Sequence, residues 1–212
     1  MLLALGVSIL AAPAADLVTS LPGFNLTGLP FKVYSGYLHV PGPFSLTGYS
    51  SLSVHYQLHT SQAGASSPVA TWHQGGPGGS SIDVGLYTEM GYFQLSDTGT
   101  YTNEFAWNRA AHMLYLESPA GSGQSAGYSS CEKDGAQVPC MWDDVSQAEA
   151  YARSLEAFFK AFPEYGQNDL YLTGESYFGQ YAAEPRHMRA RAHTTPTPPG
   201  AAEDEFLRSR SS

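Results

Sequence analysis

The sequence predicts an α/β fold, a sheet flanked by helices with its working loops at the carboxyl ends of the strands, and three observations carry that prediction. Short apolar runs at Val69 to Trp72, Met113 to Leu116 and Leu170 to Thr173 have the length of strands, and each ends in a segment rich in Gly, Ser or Glu. Between the last two, Val145, Ala148, Ala152, Leu155, Phe159 and Phe162 recur at steps of three and four, the stripe of one helix face. The run Gly75-Gly76-Pro77-Gly78-Gly79 can join neither kind of element and must loop out.

The elements follow in order. Met1 to Ala12 is an uncharged apolar run too short to span a membrane, followed by small residues through Ala15, and reads as a signal peptide over residues 1 to 15. Leu52, Val54, Tyr56 and Leu58 alternate with Ser53, His55 and Gln57, which predicts a strand with one apolar and one polar face. Gly64 to Pro68 is a turn. After the Met113 strand comes Glu117-Ser118-Pro119 and the small-residue stretch Ala120 to Gly127. Asp143 and Asp144 are good helix caps, with Gln147 three residues beyond Asp144 in a capping-box arrangement, and Pro163 stops the helix. From Pro185 onward the chain turns to Arg, Pro, Thr and Ala without apolar periodicity, so residues 186 to 212 read as an irregular, disordered tail.

Composition narrows the function. A chain of 212 residues with 42% hydrophobic content can bury one core, and its formal charge of −9 argues against nucleic acid as partner, because phosphate contacts need a basic patch. The seven His are scattered without ligand spacing, so no metal is expected, nor any other cofactor. Asn25-Leu26-Thr27 is a glycosylation sequon, and Cys131 and Cys140 are an even pair with short spacing. Both agree with secretion; joined, the cysteines would contribute about 2 to 3 kcal/mol by restricting the unfolded chain.

The chemistry lies in the loops. A strand running into Gly174-Glu175-Ser176-Tyr177-Phe178-Gly179 has the layout of a nucleophile elbow, a sharp bend that lifts a serine hydroxyl above the sheet. A serine-capped turn from strand to helix would look similar. The glycine run adds what acyl transfer needs, a segment without side chains whose N–H groups can converge on an oxyanion. A phosphate cradle is the rival reading, but that loop ends in Gly-Lys-Ser/Thr, and this one continues Ser80-Ser81-Ile82-Asp83.

Taken together, Trp72-His73-Gln74-Gly75-Gly76-Pro77-Gly78-Gly79-Ser80-Ser81, Glu117-Ser118-Pro119-Ala120-Gly121 and Gly174-Glu175-Ser176-Tyr177-Phe178-Gly179-Gln180-Tyr181 resemble the three signature segments of the serine carboxypeptidases, in that family's order, and the likeness covers about residues 30 to 183. The resemblance implies an α/β-hydrolase-like mixed sheet flanked by helices in residues 16 to 185. It also implies a secreted, vacuolar or lysosomal enzyme that removes C-terminal amino acids from peptides or proteins at acidic pH. Ser176 would be the nucleophile and the N–H groups of Gly76 and Tyr177 the oxyanion hole. Trp72, Gln74, Gly75, Glu89 and Glu175 would grip the substrate's terminal carboxylate, and Glu117 would be a structural carboxylate nearby. Three carboxylates cannot sit together ionised, so the grip should hold a shared proton and weaken as pH rises.

This sequence departs from the family pattern at Gln74, where Asn is usual, at Gly79, where Cys is common, and at Phe178, whose ring replaces a small residue where it would press on the elbow or the helix behind it. The resemblance puts the triad's Asp and His later than these 212 residues reach, and neither His187 nor His193 is expected to take their place. The expectation is therefore a C-terminally truncated domain, inactive alone, whose Leu170 strand is left as an exposed sheet edge. A carboxypeptidase-like acyltransferase and a non-catalytic secreted fragment that binds peptide C-termini are the alternative readings.

Overall fold

A computed structural model describes residues 13–123 and 127–182. Residues 1–12 of the expected signal peptide and the expected tail over 186–212 lie outside the described residues. The centre is a seven-stranded mixed sheet. Strand β1 (Val33–Pro41) pairs antiparallel along the whole of β2 (Ser51–His59). The other edge of β2 is divided: its Tyr56–His59 half pairs with β6 (His112–Leu116) and its Ser51–Ser53 half with β7 (Ser130–Lys133). Beyond β6 the sheet turns parallel, with β3 (Val69–His73) and then β9 (Leu170–Gly174). Strands β4 (Phe93–Ser96) and β5 (Gly99–Thr102) form a separate hairpin.

Helices cover both faces. Helix α1 (Asp144–Ala161) buries Tyr151, Leu155 and Phe158 against Leu38, Val54, Leu58, Leu114 and Leu116. A fully buried phenylalanine such as Phe158 is worth about 3 to 5 kcal/mol against alanine. On the opposite face, a helix of π geometry (Ser81–Met90) lays Ile82, Leu86 and Met90 over Ala70, Trp72, Met113 and Tyr115. The expected polar face of β2 is therefore covered: Gln57 is buried and donates to Tyr87 Oη at 3.1 Å, and His59 is buried among Phe31, Phe93 and Tyr115. The sheet is covered on both sides, and one strand's alternation cannot report that.

Other local differences have physical causes. The N-cap of α1 is Asp143, not Asp144. Its carboxylate accepts from Ser146 N–H at 2.8 Å while Ser146 Oγ accepts from Asp143 N–H at 3.0 Å, which closes the capping box one residue earlier. Strand β8 (Ala136–Val138) folds back on β7 through Asp134-Gly135, both at positive φ (54° and 79°), the two-residue turn that an Asp-Gly pair favours. That hairpin brings Cys131 and Cys140 together, and they form a disulfide. The expected exposed edge is found: β9 pairs with β3 on one side, no strand lies on its other side among the described residues, and Tyr171 is 56% exposed.

His59 carries a pH consequence. Burial pushes its pKa down to about 3, and its Nδ1 has no partner among the described residues. The unfolded chain takes that proton near pH 6.5 and the folded chain only near 3, so the unfolded state binds more protons in between and stability falls as pH drops through that window. The melting temperature should fall from about pH 7 to about pH 4, and His59→Leu should flatten the slope; a slope unchanged in the variant would remove His59 as its cause.

Candidate functional site

The site is built where β3 and β9 end side by side. Their parallel register pairs Trp72 with Thr173 and His73 with Gly174, so the glycine run leaving β3 and the bend leaving β9 emerge as neighbours. Glu175 N–H donates to the His73 carbonyl at 3.3 Å, extending the pairing one step into the bend. Ser176 then takes a φ of 52°, a left-handed conformation that a residue with a side chain adopts at a cost of about 1 to 3 kcal/mol. Successive bonds hold it: Phe178 N–H to Glu175 O at 3.0 Å, Gly179 N–H to Ser176 O at 3.1 Å and Gln180 N–H to Tyr177 O at 2.9 Å, leading into the short helix α2 (Phe178–Ala182). Ser176 is left exposed at the tip.

Gly75 is buried directly beneath this tip. A Cβ there would lie 2.8 Å from Ser176 Cβ, 2.8 Å from Glu175 O and 2.9 Å from Tyr177 N, closer than a methyl group can come. Gly76 follows at φ 119° and Gly78 at φ 90°, and Gly79 N–H closes the loop on Gly75 O at 2.9 Å. Among the described residues neither the Gly76 nor the Tyr177 amide donates to a protein acceptor. Tyr177 N–H adjoins Ser176 in the chain and Gly76 follows the glycine packed beneath it, and a developing oxyanion is what such unspent donors suit.

Beside the bend the polar side chains converge. Gln74 Nε2 donates to Glu175 Oε1, and Gln74 Oε1 accepts from Trp72 Nε1 at 2.9 Å, while Gln74 N–H donates to Ser81 Oγ at 3.0 Å. Glu89, at the far end of the π-type helix, joins them: partial burial and then the charge of Glu175 raise its pKa, against the Gln74 amide, which lowers it. Trp72, Gln74, Gly75, Glu89 and Glu175 are thus all brought together near Ser176. Asn25 lies elsewhere, exposed, its Oδ1 accepting from Thr27 N–H at 2.9 Å. No cluster of His, Cys, Asp and Glu fit to hold a metal occurs among the described residues.

Glu117 lies behind the glycine loop and is fully buried. Its Oε2 accepts from Ser80 Oγ at 3.0 Å and from Ile82 N–H at 3.2 Å, so it ties down the start of the π-type helix, and Oε1 has no partner among the described residues. Burial raises its pKa to about 7.

Each departure from the expected pattern has its own accommodation. A Cβ at Gly79 would stand 2.8 Å from Gln74 Cγ and 2.9 Å from the Gly75 carbonyl oxygen, so residue 79 is bare where the loop closes on itself. Phe178 does not crowd the elbow. Its ring stacks on His73 at 4.9 Å and lies over Gly174, where a Cβ would strike it. The parts played by His73 and by Ser81 are not legible in the sequence, although both stand inside the Trp72–Ser81 segment; only the fold shows which way they face.

The chain matches the serine carboxypeptidase family over residues 22–187. It is 42% identical over 175 residues to a serine carboxypeptidase of Caenorhabditis elegans and 43% identical over 175 residues to the lysosomal protective protein of Mus musculus, covering 81% of this chain and 33% of each relative. A crystal structure of a prohormone-processing carboxypeptidase from Saccharomyces cerevisiae superposes with a TM-score of 0.58 at 28% identity, covering 72% of this chain and 32% of that one. The fold is that of the α/β-hydrolases. The chain belongs to the serine carboxypeptidase family and spans about a third of the length of the curated relatives it matches.

Gly75→Ala should cost about 1 to 3 kcal/mol of stability, because the new methyl meets backbone atoms that cannot turn aside. Gly179→Ala, with nothing within 4 Å of its Cβ position and a place in α2, should be neutral or slightly stabilising. Denaturant midpoints of the two variants test the pair, and equal midpoints would contradict the close approach of loop and bend.

Proposed function

We propose that this chain carries the substrate-recognition and acylation half of a serine carboxypeptidase: it binds the free C-terminus of a peptide and presents Ser176 to the last peptide bond. The observation that carries this reading is the Gln74 amide, held by Trp72 and aimed at Glu175 beside Ser176. In this reading the substrate's carboxylate sits among Gln74, Glu175 and Glu89 and shares a proton with the glutamates. Gly76 and Tyr177 amides then face the carbonyl oxygen of the bond to be cut, where charge builds when Ser176 attacks.

The rest of the assignment follows the same reading. A serine without a base is a weak nucleophile, and in this reading the chain by itself acts as a binder with little turnover. Residues 16–185 are the family domain's N-terminal part, Asn25 carries a glycan, and residues 1–15 direct the chain into the secretory pathway, toward a vacuolar or lysosomal or an extracellular destination. Among the described residues no helix is long and apolar enough to cross a membrane.

Calorimetry with N-acetyl-Phe-Leu and its C-terminal amide tests the reading. The free acid should bind more tightly than the amide at about pH 5. Its affinity should fall by about tenfold toward pH 7.5, as the proton held at the raised pKa of Glu89 leaves and like charges meet, while the amide stays level. Equal affinity for acid and amide would end the proposal. A fluorophosphonate should label the chain only slowly, and labelling that is fast and lost in Ser176→Ala would replace the binder with a working hydrolase.

A further inference from the structure

The His73 ring is wholly buried under the site and takes no part in the reading above. Its Nδ1 lies 2.7 Å from the carbonyl oxygen of Gln74, and its Nε2 lies 3.3 Å from Gln147 Nε2. A carbonyl can only accept, so Nδ1 carries the proton; the neutral ring then has a bare Nε2, which accepts from the Gln147 amide. The chemistry of the two partners fixes one tautomer and one ring orientation. Gln147 is anchored in turn by donating to Ser118 Oγ at 2.9 Å. Burial keeps the ring neutral, with a pKa pushed down to about 4 against the opposing effect of the Gln74 bond.

The ring also has faces. Phe178 stacks on it at 4.9 Å and 21°, Tyr151 meets it edge-on at 5.2 Å and Tyr181 lies tilted at 5.1 Å. Phe178 and Tyr181 belong to α2, just past Ser176, and Tyr151 to α1. We propose that His73 is a positioning residue for the oxyanion donors, clamping the glycine loop by its Nδ1–H and the serine bend by its stacked face. Two consecutive peptide planes are pinned: His73 holds the Gln74 carbonyl, and Gly79 N–H holds the Gly75 carbonyl at 2.9 Å. The second plane carries the Gly76 N–H. Phe178 follows Tyr177, so the stack sets where the Tyr177 N–H points.

The inference rests on the proposed roles of Gly76 and Tyr177, and the test separates the two. In the full chain, His73→Phe keeps a ring for the stack and removes the donor, whereas His73→Asn keeps a donor close to the position of Nδ1 and removes the ring. Labelled with ¹⁵N, His73→Phe should shift the Gly75 and Gly76 amides and leave Tyr177 nearly in place, and His73→Asn should do the reverse. With N-acetyl-Phe-Leu, each variant should lose about five- to tenfold in affinity, the usual worth of one lost hydrogen bond or aromatic contact. Amides of Gly75, Gly76 and Tyr177 that stay in place in both variants would overturn the assignment, whatever the peptide does. If the wild-type chain fails to tell the acid from the amide, the binding reading falls while the amide shifts still decide the role of His73. Should neither variant fold, the imidazole nitrogens of the wild-type chain decide: a proton on Nδ1 with Nε2 as acceptor is expected, and a proton on Nε2 refutes it.

Discussion

The site depends on one close approach, that of the Gly75 backbone to the bend at Ser176, and on the parallel pairing of β3 with β9 that brings it about. A parallel ladder places equivalent strand ends at the same level, so two loops leaving neighbouring strands necessarily meet. What they do on meeting is decided by the lack of a side chain on residue 75. With a Cβ there, the bend would be pushed off the glycine loop. The strain at Ser176 is tolerated because the ladder, the turn bonds and the Phe178 stack over-determine the backbone around it.

Protonation divides the buried groups into two sets. Neutral histidines at His59 and His73 make acid unfavourable to the fold, since the unfolded chain takes protons that the folded chain refuses. Glu117 acts the other way: with a pKa near 7 it holds a proton in the folded state that the unfolded state gives up near pH 4.5, so its contribution is present in acid and lost as pH rises through that interval. Glu89 follows Glu117 in direction, though its exposure lets water screen the effect. The corner around Gln74, Glu89 and Glu175 is thus suited to acid, and two histidines at the heart of the core are not.

The departures from the family pattern are paired with neighbours. Gly79 is bare where a Cβ would meet both Gln74 Cγ and the Gly75 carbonyl oxygen. Phe178 adds a ring, and His73 supplies a flat partner for it while Gly174 stays bare beneath. Compensation of this sort is what a close-packed interior requires, because added volume has to be taken from an adjacent side chain.

Much of the site is legible in the chain's local chemistry. The glycine run, the bend around Ser176 and the apolar strands each follow from rules of backbone freedom and apolar spacing, whereas the α1 stripe is legible only in part: Ala148, Ala152, Leu155 and Phe162 are buried as expected, but Tyr151 and Phe158 enter the core where Val145 and Phe159 stay partly exposed. The Asp134-Gly135 hairpin is equally local, a strong turn signal that the sequence reading passes over. The covered polar face of β2, the Asp143 cap, the π geometry of Ser81–Met90 and the stack on His73 are not legible in this way, because each is settled by the packing around it and not by a short run alone. By itself the sequence determined which residues could bend, cap and donate, since those are properties of single residues and short runs. Only the tertiary structure decided which of them face each other, because contact between Gly75 and Ser176, or between His73 and Phe178, exists only once the sheet has set β9 against β3.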